Sequence, residues 1–105
     1  MLAIRSPAAH LEYEIAQEKA SALGRMGRQL EAALAALSAF DAARPGAPAG
    51  ADRQQRDRLV AEAGQALWYL IVQRDACGLY GSARVMSDYG VPTEVRNRMG
   101  PLIPK

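Results

Sequence analysis

At 105 residues, the chain has room for one domain and one modest hydrophobic core. Half of its residues are apolar and 6% are aromatic, and alanine and leucine carry much of the apolar share, a mixture that favours an all-helical protein. The 13 basic and 11 acidic side chains nearly cancel, which supplies no strong field for nucleic acid or an anionic membrane.

The single cysteine, Cys77, excludes an internal disulfide and suits a reducing compartment. The opening Met1–Arg5 is too short for the apolar region of a signal peptide, and no apolar run approaches the roughly 20 residues of a membrane span. The expectation is a soluble, cytoplasmic protein.

Ser6-Pro7 favours a turn and allows Pro7 to sit in the first turn of a helix. From there Leu11, Ile15, Leu23, Met26, Leu30, Leu34, Leu37 and Phe40 recur at helical spacing, with Glu12, Glu14, Glu18, Lys19, Arg25, Arg28 and Glu31 largely off the stripe. The pattern predicts a helix over 8–43, stopped by Arg44-Pro45-Gly46. A rod of about 35 residues at ~1.5 Å each is about 50 Å long, whereas a compact domain of this size has a radius of gyration near 13 Å. Either the helix breaks, with Ser21 to Gly27 the candidate place, or it projects and needs another chain. No proline accompanies Gly24 and Gly27, so the reading adopted is that these glycines admit a close neighbour.

Residues 44–51 form an exposed linker with two prolines. Asp52 suits the N-cap of a second helix over 52–77, with Gln55 placed as in a capping box. That helix carries Leu59, Val60, Ala63, Leu67, Leu70 and Ile71 on one stripe. It also contains Ala66–Val72, seven uncharged residues that include the only tryptophan, Trp68. An apolar run that covers every side of a helix predicts a buried one, so this segment is the expected centre of the core. Gly78 fits the C-terminal cap, and a short loop makes the two long helices antiparallel.

Glycines and prolines punctuate the last third. Two short helices are expected, one over 82–90 capped by Ser82 and ended by Gly90, one over 93–99 opened by Pro92-Thr93 and ended by Gly100. Residues 100–105 form an extended apolar tail that should pack on this chain or the next. The predicted fold is therefore all-α, a long helical hairpin plus two short C-terminal helices, assembling into a dimeric helical bundle.

Four features could carry function. Cys77, with Arg74 and Asp75 beside it, could be a reactive thiol of an enzyme or redox sensor. A helix C-terminus, however, opposes the thiolate, and a buried structural cysteine is the commoner case. His10 has Glu14 one helical turn on, but a lone histidine has no metal-ligand spacing, and no cofactor or metal is expected. Residues 83–99 resemble a degenerate helix-turn-helix with Thr93, Arg96 and Arg98 as candidate nucleic-acid contacts. Arg96 stands near where an apolar residue belongs, and two short helices turning across a bundle end explain the same pattern. The stripe Leu23, Met26, Leu30, Leu34, Leu37 and Phe40 is either intrachain core or a dimer seam, and the length of the first helix tips the reading toward the seam.

The strings Glu14–Arg25, Gln73–Leu79 and Asp88–Val95 resemble a family of small uncharacterised, chiefly alphaproteobacterial proteins. The resemblance covers most of the chain and implies a helical domain of unknown function, with no catalytic residues to carry over. The residues themselves present no paired carboxylates, metal-ligand cluster, Ser/His arrangement or phosphate loop. The function expected from the sequence is association without catalysis, as a homodimer in which long first helices pair and Trp68 lies in the core of each subunit.

Overall fold

The computed structural model describes residues 7–101, which form four helices: α1 (Pro7–Ala43), α2 (Gly50–Ala76), α3 (Ser82–Tyr89) and α4 (Thr93–Asn97). No strand occurs among the described residues. α1 opens on Pro7, whose missing N–H is harmless in a first turn. It then runs unbroken through Gly24 and Gly27, so of the two ways out of the length problem the chain takes projection. The described residues extend 68 × 27 × 22 Å with a radius of gyration of 18.2 Å, well above the ~13 Å of a compact domain of this length.

α1 and α2 form the predicted antiparallel hairpin around the exposed residues 44–49. Asp41 of α1 meets Arg56 of α2 at its loop end, at 2.8 Å. The core is Leu30 and Leu37 from α1 and Val60, Ala63, Leu67 and Leu70 from α2, closed by Val85 and Met86 of α3, Val91, and Val95 of α4. Burying side chains of this size contributes about 1.5–3 kcal/mol each.

Two glycines admit close neighbours. A methyl at Gly64 would run into the backbone carbonyl of Arg98, and the amide of Gly100 donates to the Gly64 carbonyl at 3.4 Å, so the chain after α4 crosses α2 against bare backbone. At Gly27 a methyl would meet the hydroxyl of Tyr89, which brings the end of α3 onto α1. Gly24 has only the Arg28 side chain of its own helix nearby, so the expected close neighbour is present at one of the two glycines of α1.

Helix ends follow the sequence signals where glycine sets them. Gly78 and Gly90 are left-handed. Leu79 N–H donates to Arg74 at 2.8 Å and Val91 N–H to Met86 at 3.0 Å, the long hydrogen bonds of a glycine-terminated helix.

The polar caps differ. α2 starts at Gly50 with Ala49 as N-cap, so Asp52 is not the cap; it lies in the first turn, where a carboxylate still suits the helix dipole, and meets Arg44 across the loop at 3.3 Å. Ser82 likewise lies inside α3, because the chain enters that helix through Gly81 at φ 102°, a conformation that serine adopts only with strain.

The segment Ala66–Val72 is buried on one side only. Leu67 and Leu70 are in the core, Trp68 is partly buried, and Tyr69 and Val72 are 42% and 47% exposed. Trp68 is thus at the margin of the core and leans on Tyr69 with ring centroids 5.4 Å apart. The reason is coverage: α1, α3 and α4 shield one face of α2, and among the described residues no fifth element reaches the other. Residues 102–105 of the apolar tail lie outside the described residues.

Candidate functional site

The six residues that could have formed a dimer seam are turned into their own subunit. Leu30, Leu37 and Phe40 are buried at 0%, 3% and 8%, and Leu23, Met26 and Leu34 pack partly buried against the same core. Arg44 lies over the Phe40 ring, 4.2 Å from its centroid. Most of the stripe from Leu23 to Phe40 is thus used by the subunit's own core, with Leu23, Met26 and Leu34 left partly exposed at its edge.

The upstream part of the same helix is different. Every residue from Pro7 to Ser21 is exposed, and burial begins only at Ala22. α2 explains the boundary, because it pairs with α1 from Asp41 and Arg56 outward and ends at Ala76, so α2 itself does not reach the part of α1 beyond that level. Leu11, Tyr13 and Ile15 are 56%, 52% and 46% exposed on this projection. Its charge pattern includes a helical pair, His10 Nε2 to Glu14 Oε1 at 3.0 Å, and a longer contact between Arg25 and Glu18 at 3.3 Å. Around the base of the projection, the last turns of α2 and the loop beyond expose Val72, Leu79 and Tyr80.

Arg56 is the other concentrated feature. Its guanidinium donates to both oxygens of Asp41 at 2.8 and 3.0 Å and to both oxygens of Glu94 at 2.8 and 2.6 Å, tying α1, α2 and α4 together. These hydrogen bonds hold both carboxyls below their usual range against a smaller opposing effect of burial, and push the guanidinium further above its own. The cation is saturated by two forked carboxylates, an arrangement suited to clamping helices rather than to receiving a ligand. Sequence periodicity could not single it out, since Asp41, Arg56 and Glu94 meet only once all three helices are placed.

Cys77 is partly buried at the C-cap of α2 rather than in the core, with the Gln73 amide 3.9 Å from its sulfur. No group of three or more His, Cys, Asp or Glu is placed to hold a metal ion among the described residues. Thr93, Arg96 and Arg98 are all exposed around α4, and α3, the Gly90 turn and α4 do stand in helix-turn-helix order. However, α4 has five residues, about 7.5 Å of helix. Its Val95 is in the core and its Glu94 is bound to Arg56. A helix of little more than one turn, with two of its five side chains already engaged, presents few side chains to a groove.

The surface clefts are shallow. One of about 450 Å³ runs past Leu34, Leu37, Ser38, Gly90 and Pro92. Another of about 340 Å³ lies between Ser82, Met86 and Arg96. Among the described residues no helix is long and apolar enough to cross a membrane.

No curated protein and no solved structure matches the chain. A family model described as a family of unknown function (DUF6665) matches residues 1–104. With nearly the whole length covered, the chain belongs to that family.

Proposed function

We propose that this chain acts by association and not by catalysis, and that its working surface is the projecting part of α1, Pro7 to Ser21, through which the long first helices of two subunits pair. The observation that carries the reading is the unbroken exposure from Pro7 to Ser21 on a helix whose remaining length is packed. An isolated helix of about 15 residues is marginal in water. The sequence nevertheless continues an apolar stripe along it, Ala8, Leu11, Ile15 and Ala22, on the face that further along meets the core through Met26. Such a stripe gains its stability from a neighbour. A thiol mechanism has less in its favour, because Cys77 stands where the helix dipole disfavours a thiolate.

Sedimentation at micromolar concentration tests the reading. The wild-type chain is expected at twice its 11.3 kDa mass, and the double variant Leu11→Glu/Ile15→Glu at the single mass with its thermal unfolding otherwise retained. A wild-type monomer, or a double variant that associates as before, would remove the proposal.

A further inference from the structure

We infer that the occupant of the projection is a second copy of this chain running in the opposite direction, so that the tip of one α1 lies against the base of the other. The inference rests on the association proposed above and adds its orientation.

Charge is the first argument. From His10 to Glu18 the projection carries Glu12, Glu14 and Glu18 and no Lys or Arg, while from Lys19 to Leu30 it carries Lys19, Arg25 and Arg28 and no acid. The helix is thus acidic at its tip and basic at its base, with the change of sign between Glu18 and Lys19. Two such helices side by side in the same direction place acid on acid and base on base. In opposite directions, crossing near that boundary, each acidic tip lies along a basic base, and the complementarity occurs twice by symmetry. The charges are available. Glu12, Lys19 and Arg28 make no ion pair among the described residues, and the Glu18 and Arg25 side chains that touch each other are 73% and 54% exposed.

Shape is the second argument. Leu11, Ile15, Ala22 and Met26 share one face at steps of four, seven and four, and Met26 already packs on the core that α2 builds. A partner helix lying on that face in the same direction would have to continue through the space that α2 occupies. A partner in the opposite direction overlaps α2 only where its own N-terminal turns lie beside the last turns of α2, and then runs away from the body. The exposed Leu79 and Tyr80 follow the C-terminal end of α2, level with the base of the projection.

Disulfide coupling between single cysteines placed in a Cys77→Ser background tests the orientation. For a crossing between Glu18 and Lys19, the two Leu11 positions of an antiparallel pair are about 22 Å apart at ~1.5 Å per residue, far outside the roughly 7 Å between Cα atoms that a disulfide spans. Oxidation of Leu11→Cys alone should therefore give no covalent dimer. A mixture of Leu11→Cys with Met26→Cys or with Ala22→Cys, which brackets one turn of register, should give the mixed dimer. Rapid coupling of Leu11→Cys to itself would establish a parallel pair and overturn the orientation while leaving the association intact. Failure of every mixture to couple, with the uncoupled protein sedimenting as a dimer, would overturn it equally by moving the interface elsewhere. A monomer throughout would instead refute the underlying association.

Discussion

The two parts of α1 differ in fate far more than in sequence. From Ala22 to Phe40 the apolar stripe packs against α2 and the short helices, and Leu30 reaches complete burial. From Pro7 to Ser21 a similar stripe, with Leu11 and Ile15 at helical spacing, lies bare on an uninterrupted continuation of the same rod. Periodicity states that a face will be covered; the length of the neighbouring helix decides whether this chain or another covers it.

The sharpest way to break the comparison is to truncate one leucine in each part. Leu67→Ala, or equally Leu30→Ala, should cost about 2–5 kcal/mol of stability by thermal or denaturant unfolding, because each removes a fully buried side chain. Leu11→Ala in dilute, dissociated protein should change stability by less than about 0.5 kcal/mol, as expected of a surface position. Comparable losses at both sites would mean that the projection folds back on its own subunit.

Next in size is Gly64→Ala, where the added methyl meets the Arg98 carbonyl and forces the chain after α4 off α2. A loss of about 1–3 kcal/mol is expected, the usual cost of overpacking. The contrast lies in α1, where Gly24→Ala, with only the flexible tip of Arg28 nearby, should raise melting stability by up to ~1 kcal/mol through helix propensity alone.

The Arg56 clamp sharpens the comparison through pH. Asp41 and Glu94 titrate lower in the folded chain than in the unfolded one, so their contribution is complete above the ordinary carboxylate range and is lost as pH falls through their lowered values. The wild type should therefore be more stable than Arg56→Met at neutral pH, and the difference should begin to shrink near the ordinary carboxylate range of about pH 4 and close as pH falls through the lowered values, as read by unfolding at a series of pH values. Nothing on the projection should contribute to that difference.

These particulars also mark what the sequence made legible. The hairpin, the two short helices and the glycine-ended termini could be read because helical spacing and left-handed glycine are local signals. The use of Leu23 to Phe40 could not, because core and seam share one periodicity, and only the reach of α2 to Ala76 separates them. The half-exposed Trp68–Val72 segment escaped for the related reason that an apolar run counts sides but not neighbours. Asp52 and Ser82 looked like caps, yet the chain entered both helices through other residues, and Asp52 went to Arg44. The family assignment of residues 1–104 leaves the activity open.

The most direct measurement is amide hydrogen exchange along α1 as a function of protein concentration. If the projection is held by a second copy, protection from Ala8 to Ser21 should rise steeply with concentration, while protection from Ala22 to Ala43 stays high and constant. Fast exchange of Ala8–Ser21 at every concentration, or protection there that never depends on concentration, would contradict the account.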